Sequence, residues 1–246
     1  MLHLVPTPIG NLSDMTFRAV EVLKAADFIL AEDTRTSSVL LAHYGIRTPL
    51  SPYHRHNEHR ITEHILTQLR EGRRVALLSD AGTPGISDPA FLLVRACVQQ
   101  GLPLECLPGP TAFVPALVAS GLPTDRFCFE GFLPLKKGRH SRLKVLSLEP
   151  RTMVFYESPQ RLVKTLGQMM DYFGADRPCC VSREISKKFE EHQRGPLQEV
   201  QANFQSSGVK GEVVLLVGGC PAARKTREVE PEDSEDAEAS ASNDHV

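Results

Sequence analysis

Three times in the first 112 residues a short apolar run ends abruptly in a segment rich in glycine and proline. Leu2–Val5 runs into Pro6-Thr7-Pro8-Ile9-Gly10-Asn11-Leu12, Arg74–Ser79 into Asp80-Ala81-Gly82-Thr83-Pro84-Gly85-Ile86-Ser87-Asp88, and Leu104–Leu107 into Pro108-Gly109-Pro110-Thr111-Ala112. Longer amphipathic stretches separate them, and alternation of short apolar with longer amphipathic segments is the pattern of an α/β domain. In an open sheet of this kind the loops at the carboxyl ends of the strands converge on the ligand crevice. Any one of these loops reads equally well as a tight turn. Together they predict a shared pocket.

The remaining elements of the first half follow from local signals. Asp14–Ala26 is expected as a helix with Phe17, Val20 and Leu23 on one face, and Phe28–Ala31 as a strand. Tyr44-Gly45, Glu71-Gly72 and Gly101 close helices, because glycine accepts the left-handed conformation there. Asp88-Pro89 reads as a helix start, with Asp as N-cap and Pro in the first turn. Thr111–Ser120 gives the last helix, ended by Gly121. Leu122-Pro123-Thr124 interrupts the pattern as a linker. A second α/β unit follows, with strands at Arg126–Phe132, Thr152–Tyr156, Pro178–Arg183 and Glu212–Val217, a basic helix near Gly138–Leu148 and a helix opening at Ser158-Pro159. The expected organisation is a domain over residues 1–121, a second over 124–219, and a tail over 221–246.

The tail carries eight acids against three bases and almost no large apolar side chain, so it should be disordered. Without it the chain is mildly basic. The N-terminus has no basic leader with an apolar core, and no apolar run approaches membrane-spanning length, which predicts a cytoplasmic protein with no membrane association. The 6 cysteines are scattered without Cys-x-x-Cys spacing, and are read as reduced thiols.

What the pocket holds is narrowed by what is missing. The chain has neither Gly-x-Gly-x-x-Gly nor Gly-x4-Gly-Lys-Ser/Thr, which argues against a dinucleotide or nucleoside triphosphate on a helix N-terminus. Asp80 and Asp88 would repel a phosphate at close range. A ligand with a positive centre, such as the sulfonium of S-adenosylmethionine, suits them better, although either acid could simply cap a turn.

Several segments then resemble a known family from end to end. Val5-Pro6-Thr7-Pro8-Ile9-Gly10-Asn11-Leu12, Ala31-Glu32-Asp33-Thr34-Arg35, His56-Asn57-Glu58, Leu78 through Pro89, Leu107 through Ala112, Glu130-Gly131-Phe132-Leu133-Pro134, Phe155-Tyr156-Glu157-Ser158-Pro159 and Arg183-Glu184 are similar to the ribosomal RNA small subunit methyltransferase I family, over roughly residues 2–219. The resemblance implies a two-domain α/β methyltransferase of the tetrapyrrole methylase type, usually homodimeric, that holds S-adenosyl-L-methionine between its domains. The implied reaction is 2′-O-methylation of a cytidine ribose in the decoding region of 16S rRNA, free or within the 30S subunit. Three departures stand out: Ala90 where glycine is common, Gln160 where histidine is common, and Ser186-Lys187-Lys188-Phe189 where a Thr-Lys stretch is expected.

Carried over by position, Pro8 and Gly10, then Asp80, Gly82, Thr83, Pro84, Gly85, Ser87 and Asp88, then Pro108, Gly109, Thr111 and Ala112 become cofactor walls, faced by Phe129 and Gly131 from the second domain. Small residues suit this role, because a backbone approaches a ligand closely only where no bulky side chain intervenes. Lys136, Lys137, Arg139, Arg142 and Lys144, with His140, form the densest basic cluster, read as an RNA-binding face over a plain solvated helix. Arg183 joins it as an electrostatic helper. Glu32 and Asp33 sit where acid–base residues often sit, but Thr34 capping a helix beside an Asp33–Arg35 ion pair fits equally. His54, His56 and His59 lack metal-ligand spacing, and methyl transfer from a sulfonium requires no metal.

In-line methyl transfer needs the acceptor oxygen aligned behind the methyl group and relieved of its proton. Glu184 is the expected base, with Lys187 stabilising the alkoxide. Two other readings compete: a tetrapyrrole-modifying methyltransferase, and a non-catalytic RNA-binding factor on the same fold.

Overall fold

The computed structural model describes residues 1–221, so the expectation for the acidic tail lies outside the described residues. The first half forms a five-stranded parallel sheet from β1 (Leu2–Val5), β2 (Phe28–Ala31), β3 (Leu50–Pro52), β4 (Val75–Leu78) and β5 (Leu104–Cys106), in the order β3-β2-β4-β1-β5. Helices α1 (Phe17–Ala25), α2 (Thr34–His43), α3 (Glu58–Arg70), α4 (Phe91–Gln99) and α5 (Phe113–Ala119) connect or follow them.

Successive strand residues point to opposite faces, and both faces of this sheet are covered. Leu2, Leu4, Leu30, Val75 and Leu77 pack with Ile65, Leu66 and Leu69 of α3 and Leu93 and Cys97 of α4. Val5, Ile29, Ala31, Ala76 and Leu78 pack with Ala19 and Leu23 of α1 and Leu41 of α2. Burial on both sides is why β4 reads as an unbroken apolar run.

The second sheet comprises β6 (Phe127–Phe132), β7 (Thr152–Glu157), β8 (Pro178–Arg183), β9 (Glu191–Pro196) and β10 (Val213–Val217), in the order β6-β7-β10-β8-β9. Its β6–β7 pair is parallel and the others are antiparallel. One face is covered by α6 (Arg139–Leu146), α7 (Pro159–Phe173) and α8 (Leu197–Ser207). The other face receives Ala116 and Leu117 of α5, which pack on Val154, Cys180, Val214 and Leu216. The last helix of the first half is therefore the packing bridge to the second.

Four sequence expectations change. The helix expected from Asp14 starts at Phe17, because Thr16 caps it by accepting the Ala19 N–H at 3.1 Å, and residues 12–14 form a 3₁₀ turn. Phe17, the first residue of α1, is 92% exposed, and the helix buries Ala19 and Leu23 instead. Asp88 caps no helix: its carboxylate accepts the Gly85 N–H inside its own loop, and α4 begins later, at Phe91. The strands β3 and β9 and helix α8 were not foreseen. No helix among the described residues is long and apolar enough to cross a membrane.

Candidate active-site cleft

The loops after β1, β4 and β5 are stitched together by short hydrogen bonds. Thr7 and Gly82 exchange backbone bonds of 2.9 Å in both directions, and the Thr7 hydroxyl donates to the Ser79 carbonyl at 3.1 Å. The Thr83 hydroxyl donates to the Pro110 carbonyl at 3.0 Å. Each loop fixes the next, so the convergence expected from the sequence is built in backbone.

They form one wall of a cleft of about 400 Å³ whose other wall comes from the second sheet. That volume falls within the range of small-molecule sites, about 300–1,000 Å³. Of the expected cofactor residues, Asp80, Gly82, Thr83, Ser87, Asp88, Thr111 and Ala112 line it. Ser87 holds a left-handed backbone, φ 70°, a strained conformation of the sort that concentrates at functional sites.

The other expected wall residues lie elsewhere. Pro8 and Gly10 line an adjoining cavity that shares Ser79 and Asp80 with the cleft and is closed by α2. Pro84 faces a small void against Glu32 and Tyr53, while Gly85 turns its N–H to Asp88. Gly109 packs on Pro6, and Pro108 is absent from the lining. The Phe129 ring is sandwiched between Phe113 and Tyr156, with centroids 5.0 and 5.1 Å away. Gly131 faces Ser87 with φ 59°, and a β-carbon there would sit 3.5 Å from the Ser87 hydroxyl. Phe129 and Gly131 thus support the junction of the two walls and do not form the cleft surface.

Sequence reasoning missed Glu32, Phe132, Tyr156, Ser158, Glu212 and Val213 as lining residues. Glu32, Phe132, Tyr156 and Ser158 sit inside motifs already noted. Glu212 and Val213 gave no signal beyond an apolar strand.

On the first-sheet wall of the cleft three carboxylates gather, Glu32, Asp80 and Asp88, while Glu157 and Glu212 of the other wall are ion-paired with Arg161 and Lys187. Burial raises Asp88 to about 6, and the charges of Glu32 and Asp80 push in the same direction. Glu32 is also raised, first by burial and then by Asp80. Such a cluster favours a cation and disfavours an anion. Asp33, by contrast, caps α2 and pairs with Arg35 at 2.7 Å, so its role is local, and it replaces Thr34 as the cap.

Beyond the end of β8, Lys187 donates to Glu184 at 3.0 Å and to the cleft-lining Glu212 at 2.9 Å. Glu184 takes φ 53° and is held below the usual carboxylate range by the Glu212 N–H and by Lys187. Neither Glu184 nor Lys187 lines the cleft, whereas Ile185 and Glu212 do. Ser186 hydrogen-bonds Asp14, and Arg183 pairs with Glu191 at 2.6 Å.

The basic cluster divides. Lys136, Lys137 and Lys144 are exposed, and Arg142 bonds Glu130 at 2.9 Å through Nε. Arg139 is 7% exposed: it donates to Gln168 at 2.7 Å, to Thr165 at 2.6 Å and to the Pro134 carbonyl at 3.2 Å, and lies 3.8 Å from Glu157. Arg139 is therefore corrected from an RNA contact to an interior brace, because its guanidinium has no face left for a phosphate.

Two sheets with a shared cleft of this kind define a tetrapyrrole methylase, and the chain belongs to that family: the model described as Tetrapyrrole (Corrin/Porphyrin) Methylases matches residues 1–201. The fold is shared with a solved cobalt precorrin-4 methyltransferase, at TM-score 0.66 and 17% identity over 88% of this chain and 94% of that one. It is shared too with a Thermus thermophilus uroporphyrin-III C-methyltransferase complexed with S-adenosylhomocysteine, at TM-score 0.61 and 23% identity over 88% and 96%. In sequence the chain is most informatively compared with ribosomal RNA small subunit methyltransferase I: it is 49% identical to that of Escherichia coli O157:H7 over 89% of this chain and 77% of the relative. The Synechocystis protein of the same name is 48% identical over 89% and 79%.

Proposed function

We propose that the chain is an S-adenosylmethionine-dependent methyltransferase whose acceptor is the ribose 2′-hydroxyl of a cytidine in small-subunit ribosomal RNA. The observation that carries this reading is the cleft between the sheets, acidic on one wall, in a chain nearly half identical to proteins named for that rRNA. S-adenosylmethionine, when bound, supplies a methyl group on a sulfonium cation. The residues present suit it: Glu32, Asp80 and Asp88 favour the positive centre, and Gly82 and Ala112 let the backbone approach.

The chain's own contribution is orientation and charge. The cross-linked loops keep the acidic wall rigid, which fixes one reactant against the other. Lys187, held by Glu184 and Glu212, places a positive charge beside the cleft edge where an alkoxide would develop. Glu184, which does not line the cleft, acts as the anchor of that lysine. Lys136, Lys137 and Lys144 attract the phosphate backbone. We place the protein in the cytoplasm, working as a homodimer on the 30S subunit.

The test is transfer of labelled methyl groups to unmodified 30S subunits, followed by mass spectrometry of the rRNA. A 2′-O-methylcytidine in 16S rRNA is the expected product. Label that enters only a precorrin would replace this reading with tetrapyrrole methylation.

A further inference from the structure

Phe132 ends β6 just past an irregularity in the strand. The register between β6 and β7 shifts between Phe129 and Gly131, and Gly131 adopts φ 59°. A bulge of this kind bends its strand and re-aims the side chains that follow. The consequence is a phenylalanine 54% exposed on the cleft lip, backed by the Tyr156 ring at 5.7 Å.

Two cavities meet at this side chain. Phe132 lines the cleft, and it also lines a groove of about 520 Å³ bounded by Glu130, Pro134 and the α6 residues Ser141, Arg142 and Val145. Lys136 and Lys137 stand exposed on the loop that enters α6. A flat apolar ring followed four and five residues later by exposed lysines matches a single nucleic-acid strand, whose bases stack on aromatic faces while its phosphates meet the cations. A duplex does not fit this arrangement, because its base faces are already covered by neighbouring bases.

Resting on the methyl-acceptor reading above, we propose that Phe132 is the stacking platform for an unpaired base next to the methylated ribose, and that the groove between β6 and α6 carries the flanking nucleotides. The enzyme then selects for an unstacked strand at its lip, and the acidic wall deeper in the cleft turns phosphates away from the donor side. Base stacking of this type changes binding by roughly tenfold or more when the ring is removed.

The experiment compares wild type, Phe132→Leu and Phe132→Trp in methyl transfer to unmodified 30S subunits, with S-adenosylmethionine affinity measured by calorimetry. Phe132→Leu is expected to raise the KM for the subunit about tenfold, by more than any change in donor affinity, and Phe132→Trp to restore it. An unchanged KM in Phe132→Leu, or a tryptophan variant as impaired as the leucine one, overturns the stacking role while leaving the proposed reaction intact. Failure of the wild type to label the subunit at all would instead remove the reaction, and this role with it.

Discussion

Lys187 lies across Gly10: its methylene stem fills the space that a β-carbon on that glycine would need, while its ammonium reaches Glu184 and Glu212 at 3.0 and 2.9 Å. The glycine has φ 153°, so a side chain there meets both backbone strain and a collision. Gly10→Ala should lower stability by about 1–3 kcal/mol and reduce methyl transfer by displacing Lys187. In a Lys187→Ala background the collision is gone, and the stability cost of Gly10→Ala should shrink. Urea denaturation of the four proteins in that cycle measures the coupling; additive costs would show that the two residues act independently.

Asp88 gives the cleft a pH signature. Its folded-state value of about 6 lies above the ordinary 3.8, so the folded protein binds the proton more tightly than the unfolded chain does. Its contribution to stability therefore falls as pH rises from the ordinary value through about 6, and is flat beyond. Asp88→Asn should be more stable than wild type by about 1 kcal/mol near neutral pH, after allowance for solvent screening, and equal to it in acid below both values. Affinity for S-adenosylmethionine should run the other way, weakening in the wild type as pH drops through about 6 and losing that dependence in the variant. Thermal melts and calorimetry across this range check both halves; parallel curves for the two proteins would exclude Asp88 as the titrating group.

Arg139 and the two lysines of the loop that enters α6 should behave as opposites. Arg139→Ala leaves Glu157 buried with only Arg161 as its ionic partner, so a loss of about 3 kcal/mol is expected, with an unchanged urea m-value. Because Glu157 also accepts the Ser158 N–H at 2.8 Å, the cleft floor loosens with it. A melting temperature like that of the wild type would show that the brace is dispensable.

Lys136→Ala with Lys137→Ala should leave the melting temperature alone and weaken RNA binding. Each phosphate contact removed lowers the slope of log K against log salt by about 1. Filter binding of 16S rRNA over a salt series reads this directly, and an unchanged slope would mean that the two lysines touch no phosphate.

How much of this was legible in the sequence depended on whether a residue's neighbours in the chain were also its neighbours in space. The loops at Thr7, Gly82, Thr83 and Thr111 were legible because glycine, proline and small polar residues cluster there for reasons of local backbone geometry. The strand β9 was not: Glu-His-Gln-Arg-Gly-Pro has no apolar alternation, and it pairs only as an edge strand beside β8. The edge strand β3 hides for a similar reason, with just three residues and a proline at its end. Arg139 looked like its neighbours Lys136 and Lys137, since charge alone does not reveal that α6 turns one of its basic residues inward onto α7. The Asp88 misreading came from competition within one loop, where the Gly85 N–H is nearer than any helix end.

The order of the second sheet places β6 and β8 three strands apart, about 14 Å at ordinary strand spacing. The ties to the first half made by Ser186 and Lys187 leave from the end of β8, and Phe132 stands at the end of β6. The exposed face of Phe132 therefore lies apart from those ties, and a chain laid across the lip need not displace Ser186 or Lys187.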